Sequence, residues 1–225
     1  MHRLALFDID QTLLQCSAHH ADAFSFAFKT VYNIETNINT ISSHGMTDQQ
    51  IIIEVLTKKG LCLDEITQKL GACMDAMSSY FESLQDELTV VSMPGSRDLL
   101  DMLVSHAFDR GLVTGNLERI AHTKLERAGM RAYFKAGGFG SDGLLRENLI
   151  RIALARLKKT YDATFLFGDT PSDIAAANHA GVISIGVATG DYSVKDLREA
   201  GAVYVVKNLV NTRQILNLLL SHNNP

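Results

Sequence analysis

Five short runs of mainly apolar residues constrain the fold of this chain more than any other feature. They cover residues 4–7, 111–114, 164–167, 182–187 and 202–206. Apolar residues follow one another in these runs instead of alternating with polar ones, which is typical of strands that are covered on both faces. The sequence therefore predicts a parallel sheet buried between two layers.

Stretches with a helical pattern separate these runs. They cover residues 96–107, 117–128, 147–158 and 171–179, and a last one closes the chain at 209–220. Repetition of strand, helix and strand is typical of a doubly wound α/β fold. We therefore expect a Rossmann-like core with a parallel sheet.

Residues 15–89 interrupt this alternation, because no convincing strand pattern occurs there. In the last part of the segment, apolar residues recur at steps of three and four, which predicts an amphipathic helix. These residues are Leu63, Ile66, Leu70, Cys73, Met77, Tyr80, Leu84 and Leu88. We interpret residues 15–89 as an all-helical domain inserted into a core that consists of residues 1–14 and 90–225.

Composition narrows the classes of function. The chain has 225 residues, 46% of them apolar, which is enough for a sizeable core. With 21 basic against 25 acidic side chains, it lacks the concentrated positive charge that binding to nucleic acid or to a membrane surface requires. No apolar run is long enough to span a membrane, and the one at the N-terminus is too short for a secretory signal.

The cysteines complete this picture. Cys16, Cys62 and Cys73 are odd in number and show no CxxC spacing, so the sequence predicts neither a disulfide framework nor a zinc site. We expect a cytoplasmic protein with reduced thiols. Nothing in the sequence decides between a monomer and a homodimer.

Carboxylates directly follow two of the predicted strands. Asp8 and Asp10 come after the run 4–7, and Asp169 comes after the run 164–167. Ligands of open α/β sheets bind outside the carboxyl ends of the strands, so these side chains are expected to share one crevice. Clustered carboxylates repel one another unless a cation offsets their charge, and an all-oxygen ligand set suits Mg²⁺. Such a site predicts a phosphorylated substrate, because the metal also neutralises phosphoryl oxygens.

Two further features lie at the same predicted edge of the sheet. Thr114-Gly115-Asn116 opens a helix, where a hydroxyl and free N–H groups can bind an anion, although these residues alone are also an ordinary turn signal. Asp173 follows Pro171 at the start of a predicted helix, where a carboxylate also interacts favourably with the helix dipole.

Taken together, these motifs resemble those of the haloacid dehalogenase-like hydrolase superfamily. The matching positions are Asp8-x-Asp10-x-Thr12 for the first motif, Thr114 for the second, and Gly168-Asp169-x-x-x-Asp173 for the fourth. The third motif is a Lys or Arg near a helix start, for which Arg146 fits best and Lys124 is the alternative. Residues 15–89 stand where the helical cap of the family belongs. Pro94-Gly95 and residues 112–116 are most similar to the phosphoglycolate phosphatase-like branch.

The resemblance implies a role for each matching residue. Asp8 would attack phosphorus and form an aspartyl-phosphate, and Asp10 would protonate the leaving oxygen and then activate the hydrolytic water. Mg²⁺ would be bound by the Asp8 carboxylate, the Asp10 backbone carbonyl and Asp169, while Thr12 and Asp173 would support these ligands. The residues expected to hold the phosphoryl group are Thr114, Gly115, Asn116 and Arg146.

Two positions depart from the pattern of the family. Gln11 stands where many relatives have Gly, so the loop after Asp10 must accept a side chain there. Arg146 replaces the more usual Lys and keeps the charge with a different geometry.

The inserted segment should select the substrate. His44, Gly45 and Thr47 lie where relatives place a loop over the active site, and they are candidates for contact with the substrate. Thr47 is as well suited to cap a helix. We interpret His19 and His20 as exposed surface residues.

These observations favour a Mg²⁺-dependent phosphatase that acts on phosphoglycolate, a sugar phosphate or a nucleotide. A phosphomutase of the β-phosphoglucomutase type would use the same nucleophile and return the phosphoryl group to the substrate. Asp48 and Gln49 stand where such relatives tend to have a basic residue, which weakens this alternative. A third alternative is a non-catalytic module that binds a phosphorylated metabolite, although clustered carboxylates are costly to keep without a task.

Overall fold

The computed structural model describes residues 2–17 and 19–222. The strands are β1 (Arg3–Phe7), β2 (Leu14–Cys16), β3 (Val90–Ser92), β4 (Asp109–Val113), β5 (Gly137–Gly138), β6 (Ala163–Gly168), β7 (Ile183–Val187) and β8 (Tyr204–Val206). The helices are α1 (His19–Tyr32), α2 (Asp48–Lys58), α3 (Leu63–Ser83), α4 (Ser96–Ser105), α5 (Glu118–Arg127), α6 (Arg146–Leu157), α7 (Pro171–His179), α8 (Val194–Glu199) and α9 (Thr212–Ser221).

A parallel sheet of six strands, in the order β5-β4-β1-β6-β7-β8, forms the centre of the described structure. β1 pairs with β4 on one side and with β6 on the other, so that Phe7 lies between Leu112 and Phe167. The chain builds the sheet outward in both directions from β1. This order confirms the predicted doubly wound, Rossmann-like α/β fold.

Both faces of the sheet are covered, which explains why the strands are apolar throughout. Successive residues of a strand point to opposite faces. Ala5 and Phe7 of β1 belong to a buried cluster that includes residues of α4, α5 and α9, whereas Leu4 and Leu6 belong to a cluster with residues of α6 and α7. The Phe7 and Phe167 rings stack with their centroids 4.7 Å apart. Burial of apolar side chains on both faces therefore provides a large part of the stability of the sheet.

The inserted residues form their own layer. We call residues 19–89 the helical insert; α1, α2 and α3 enclose a separate apolar cluster in which Phe24, Phe28, Val55 and Phe81 are buried. The amphipathic pattern predicted to run to Leu88 follows α3 only as far as Ser83. The chain turns after this residue, so Leu88 reaches the cluster from outside the helix.

Two short strands join the helical insert to the core, at positions where the sequence predicted no strand. β2 and β3 pair antiparallel, with Leu14 opposite Ser92 and Cys16 opposite Val90. Each strand has three residues, which is too short for an alternation of apolar and polar residues to stand out. Their pairing brings together the points at which the chain leaves the core and returns to it.

β5 is another strand that the sequence did not predict. It consists of Gly137 and Gly138, which have no side chain to contribute to an apolar pattern. A Cβ atom on Gly138 would lie 2.0 Å from the carbonyl oxygen of Leu149 in α6. Glycine therefore allows α6 to pack closely against this edge of the sheet.

The order of the sheet places three functional motifs side by side. β1, β4 and β6 are neighbours and run in the same direction, so Asp8, Thr114 and Asp169 follow their carboxyl ends at one edge. No helix within residues 2–17 and 19–222 combines the length and the apolar character that crossing a membrane requires.

We expect Phe167→Ala to lower the free energy of unfolding by about 3–5 kcal/mol, because it removes a fully buried ring from the core. Phe26→Ala provides a matched control, since Phe26 is 42% exposed and stacks on Tyr80; this variant should lower the free energy of unfolding by about 1 kcal/mol. Urea unfolding measures both values. Equal losses would contradict the assignment of Phe167 to the core.

Candidate active site

The loop after β1 leads into the site. The backbone N–H of Asp8 donates to the carbonyl of Phe167 at 2.9 Å, which anchors the start of the loop on β6. Gln11 has a φ of 59°, in the left-handed region that glycine adopts without strain. This explains why a glycine suits the position and shows that the loop accepts Gln11. The Thr189 hydroxyl donates to the Gln11 carbonyl at 2.5 Å and helps to hold the turn.

Three buried carboxylates converge at the edge of the sheet. Asp8, Asp169 and Asp173 each place an oxygen within 4.8 Å of the others. The Thr12 hydroxyl donates to Asp169 at 3.2 Å, and the backbone N–H and hydroxyl of Thr170 donate to Asp173 at 3.1 and 2.6 Å. The cluster therefore contains the side chain of Asp173, which was expected only to support the ligands. The side chain of Asp10 lies outside the cluster, and ligation through its backbone carbonyl stays a prediction.

Burial of these like charges makes the ionised cluster costly. Burial raises the pKa of Asp8 to about 7; the Arg146 charge opposes this shift, and Asp173 and Asp10 add to it. Burial, followed by the charges of Asp8 and Asp173, raises the pKa of Asp169 to about 8. Among the described residues, Asp8 Oδ1 is also a buried atom without a hydrogen-bond donor. An orphaned oxygen in a set of hard carboxylate ligands fits a divalent cation such as Mg²⁺.

Arg146 is the cation next to this cluster. It is the first residue of α6, and its Nη1 donates to Asp173 and lies 3.5 Å from Asp8 Oδ1. Burial would lower the pKa of Arg146, but Asp173, Asp8 and Asp169 outweigh this effect and raise it. The structure thus brings Arg146 to Asp8, whereas the alternative, Lys124, lies against Asp10.

Asp10 has its own set of partners. Lys124 Nζ donates to both carboxylate oxygens at 2.8 Å, and the Asn116 amide donates to Oδ2 at 2.7 Å. The position of Asp10 inside the cavity would raise its pKa by desolvation, but the charge of Lys124 and the hydrogen bonds from Lys124 and Asn116 outweigh this and hold the pKa below its usual value. Asp10 is therefore ionised at neutral pH when no ligand is bound.

The segment Thr114-Gly115-Asn116 has several structural tasks. The buried Thr114 hydroxyl accepts hydrogen bonds from the backbone and the side-chain amide of Asn116, at 3.3 and 3.0 Å. A Cβ on Gly115 would lie 2.4 Å from the Met46 carbonyl oxygen, and the Gly115 carbonyl accepts from the Asp48 N–H at 2.8 Å. Gly115 therefore lets the helical insert contact the core backbone directly. Binding of phosphate by this segment stays a prediction.

A cavity of about 340 Å³ opens above these groups. The core contributes Asp8, Asp10 and Arg146, and also Asp191 and Tyr192, which the sequence did not single out. The helical insert contributes the opposite wall. Its lining residues are His20, Ala21, Phe24, Ile38, Ser43, His44, Gly45, Met46, Asp48 and Ile51.

The three residues predicted to select the substrate have different positions. His44 lines the cavity and pairs with Asp191 at 3.2 Å. Gly45 has a φ of 74°, and a Cβ there would lie 2.4 Å from the Ser172 hydroxyl, so this residue also allows close contact with the core. The structure gives Thr47 the capping alternative, because its buried hydroxyl accepts from the Gln50 N–H at the start of α2.

The interpretation of His20 as an exposed surface residue is wrong. Its side chain is only 19% exposed, and its imidazole bonds to Asp48 at 3.1 Å and to Lys124 at 3.3 Å. One sequence signal could have found it: His20, Phe24 and Phe28 recur at steps of four on α1, which places His20 on the buried face. His19 is half-buried and bonds to Ser17.

The geometry agrees with the family comparison. The profile of the haloacid dehalogenase-like hydrolase family matches residues 5–187. The chain belongs to this family. The match runs from within β1 to the end of β7 and therefore includes the three clustered carboxylates, Asp10 and Arg146.

Two proteins with similar sequences are named as phosphatases. The "Phosphorylated carbohydrates phosphatase" of Thermotoga maritima is 32% identical over 130 residues, which are 56% of this chain and 58% of that protein. The "Phosphoglycolate phosphatase" of Pseudomonas putida is 26% identical over 194 residues, which are 84% of this chain and 70% of that protein. The chain thus matches somewhat more than half of the first relative's length.

Solved structures share the fold at low identity. A crystal structure described as a predicted phosphatase from Clostridium acetobutylicum superimposes with a TM-score of 0.74 at 23% identity, covering 96% of this chain and 99% of that one. Structures named for β-phosphoglucomutase share the fold as well. The fold alone therefore does not distinguish a phosphatase from a mutase.

The raised pKa values predict how stability depends on pH and on metal. Without a divalent cation, folded Asp8 and Asp169 keep protons up to about pH 7 and 8, whereas the unfolded chain releases them near 3.8. The melting temperature in EDTA should therefore fall as the pH rises from about 5 to about 8. Mg²⁺ should raise it more at the upper pH, because fewer protons compete for the carboxylates.

The variant Asp169→Asn checks this prediction by calorimetry. It removes one of the two carboxylates with a raised pKa and one candidate metal ligand. The fall of the melting temperature with pH and its increase with Mg²⁺ should therefore both become smaller. A Mg²⁺ effect of equal size at both pH values, or one that is undiminished in Asp169→Asn, would contradict the assignment.

Proposed function

We propose that this protein is a Mg²⁺-dependent cytoplasmic phosphatase that hydrolyses a small phosphomonoester through an aspartyl-phosphate. The observation that carries the proposal is the division of the carboxylates into two environments. Asp8 lies in a buried cluster beside Arg146, and Asp10 lies apart from it against Lys124. Two carboxylates with different partners can take the two roles that hydrolysis requires, a nucleophile and an acid/base.

Asp8 is the nucleophile in this mechanism. One carboxylate oxygen attacks phosphorus, and the bond between phosphorus and the leaving oxygen breaks. Arg146, 3.5 Å from Asp8, is placed to hold phosphoryl oxygens at the point of attack. Thr114, Gly115 and Asn116 follow the end of β4 at the same edge of the sheet, and Gly115 and Asn116 line the cavity. These residues would complete the phosphate site.

Asp10 transfers the protons. It gives a proton to the leaving oxygen and later takes one from the water that attacks the aspartyl-phosphate. The ionised form, which the charge of Lys124 favours, is the form needed for the second step. A phosphate dianion bound next to Asp10 disfavours its ionised form, since like charges repel, and this supports the protonated form for the first step.

The three-carboxylate cluster supports a magnesium requirement. Asp8, Asp169 and Asp173 would hold the ion, and the backbone carbonyl of Asp10 would be a further ligand. When bound, Mg²⁺ neutralises the charge of the phosphoryl oxygens as the nucleophile approaches. Thr12 and Thr170 orient Asp169 and Asp173 for this purpose.

The cavity supports a small substrate. Its volume of about 340 Å³ suits a metabolite with a few carbon atoms beyond the phosphate. The wall formed by the helical insert combines apolar residues such as Phe24 and Ile51 with polar ones such as His20 and His44. Phosphoglycolate, a sugar phosphate and a nucleotide are the classes to compare, with phosphoglycolate first.

The same wall favours hydrolysis over a mutase reaction. A mutase must also hold a second phosphate, which requires a cation away from Asp8. Asp48 and Gln49 stand where mutase-like relatives tend to have a basic residue. Asp48 accepts from the Leu117 N–H and Gln49 donates to the Gly140 carbonyl, both at 2.8 Å. The two side chains are engaged with the core and carry no positive charge.

Release of phosphate from p-nitrophenyl phosphate tests the proposed activity. We expect release with Mg²⁺, loss of release with EDTA, and a reduction of about 10³-fold or more in Asp8→Asn. The wild type should also give a hydroxylamine-sensitive phosphoryl label after acid quenching, which Asp8→Asn should lack. Urea unfolding serves as the control for folding of the variant.

If the folded wild type releases no phosphate from this ester or from the three metabolite classes with Mg²⁺ present, the phosphatase proposal is wrong. Transfer between positions of a sugar phosphate would then identify a mutase. Binding without turnover would identify a non-catalytic module.

Substitution of His44 tests the role of the helical insert in selecting the substrate. Because His44 lines the cavity and does not belong to the cluster of Asp8, Asp169 and Asp173, His44→Ala should raise KM for the preferred metabolite by roughly 10-fold, the loss expected for a hydrogen bond to a charged group. The value of kcat/KM for p-nitrophenyl phosphate should change little. His106→Ala, at the exposed end of α4, is the control, and an equal change in both variants would argue against a contact with substrate.

A further inference from the structure

Lys124 is a buried cation of the polar network at this site, and the mechanism above assigns it no catalytic step. It lies on α5 with a side chain only 1% exposed, and its Nζ donates to Asp10 Oδ1 and Oδ2 at 2.8 Å and to Asn116 Oδ1 at 2.6 Å. The fourth contact is with His20 Nδ1 at 3.3 Å. A buried ammonium is retained only where partners of this kind compensate for lost hydration.

These contacts restrict the orientation of the Asp10 carboxylate. Lys124 holds both oxygens from one side, and the Asn116 amide holds Oδ2 from another. Asn116 is itself held by the Thr114 hydroxyl at 3.0 Å. Since 37% of the Asp10 side chain stays exposed, the carboxylate is fixed in place and still open to the cavity.

The helical insert completes the surroundings of Lys124. An ammonium can only donate, so His20 Nδ1 accepts and Nε2 carries the hydrogen that is donated to Asp48 at 3.1 Å. Asp48 in turn accepts from the Leu117 N–H of the core at 2.8 Å. His20 also packs against the rings of Phe24 and Phe81, with centroids 5.3 and 5.9 Å away. The position of His20 thus depends on the packing of the insert.

We propose that Lys124 is a positioning residue that orients the acid/base carboxylate of Asp10, and that His20 and Asp48 hold Lys124 in place from the helical insert. This inference rests on the proposed phosphatase function. It links proton transfer at Asp10 to the packing of α1 and α2 on the core, through the series of contacts Asp48–His20–Lys124–Asp10.

The dependence of the rate on the leaving group distinguishes positioning from a general structural role. An alkoxide leaving group needs a proton from Asp10, whereas p-nitrophenolate departs without one. The value of kcat/KM includes only the steps up to departure of the alcohol, so it isolates the reaction in which Asp10 acts as an acid. A residue that orients Asp10 should therefore affect alkyl phosphates far more than p-nitrophenyl phosphate.

The experiment compares kcat/KM of Lys124→Met on the two kinds of ester with Mg²⁺. We expect a loss of about 10- to 100-fold with glycerol 3-phosphate and less than about 3-fold with p-nitrophenyl phosphate, within the range that a general acid contributes. Asp10→Asn should show the same contrast, and adding Lys124→Met to Asp10→Asn should cause little further loss. His20→Gln should show a weaker form of the contrast, and it replaces Lys124→Met if that variant does not fold.

Arg119→Met is the matched control. Arg119 is a cation of the same helix that also bonds to the insert, through Glu82 of α3 at 2.9 Å, but it is not among the partners of Asp10. Its removal should leave the ratio between the two esters unchanged. Equal losses on both esters in Lys124→Met, or a full further loss on the Asp10→Asn background, would overturn the positioning role. An inactive wild type would instead overturn the proposed function.

Discussion

The accumulation of negative charge at the carboxyl edge of the sheet is the constraint on which the rest of the site depends. Asp8, Asp169 and Asp173 lie within 4.8 Å of one another with little access to water. Such an arrangement is unfavourable unless cations lie next to it. Arg146 provides part of this compensation on the core side, and the raised pKa values of Asp8 and Asp169 show that the compensation is incomplete.

At Asp10 the neighbouring positive charge outweighs the effect of burial, although this residue is only two residues away from Asp8. The ammonium of Lys124 lies against both of its oxygens, and its pKa is lowered. The chain therefore keeps two carboxylates of one loop in different protonation environments by giving each a separate cation. This separation depends on α5 and α6, which pack on opposite faces of the sheet and carry Lys124 and Arg146.

Close contact between the helical insert and the core depends on backbone as much as on side chains. Gly115 allows the Met46 carbonyl to approach β4, and Gly45 allows the loop before α2 to approach Ser172. Hydrogen bonds such as Asp48 N–H to the Gly115 carbonyl follow from this proximity. A side chain at either glycine would separate the layers and would therefore disturb the wall of the cavity as well as the contact itself.

The sequence predicts the features that are encoded locally. Asp8 and Asp169 directly follow apolar strands, so their common edge could be inferred from the pattern of β1 and β6 alone, and the order of the motifs pointed to Arg146. The contacts of Lys124 and His20 could not be inferred, because they join α5 to α1 across about 100 residues of chain. β2 and β3 were missed for the same reason, since strands of three residues are defined by a distant partner, and β5 was missed because glycine leaves no apolar pattern.

The central position of β1 has a consequence for how the polypeptide acquires its structure during synthesis. β1 is made first, yet its two neighbours in the sheet are β4 and β6, which follow only after the entire helical insert. The nascent chain must therefore carry an unpaired apolar strand while the insert, with its own apolar cluster, is translated. Contacts of such long sequence separation form slowly. Assembly of the core consequently waits for the C-terminal half of the chain, and the active site, which needs β1, β4 and β6 together, is among the last parts to form.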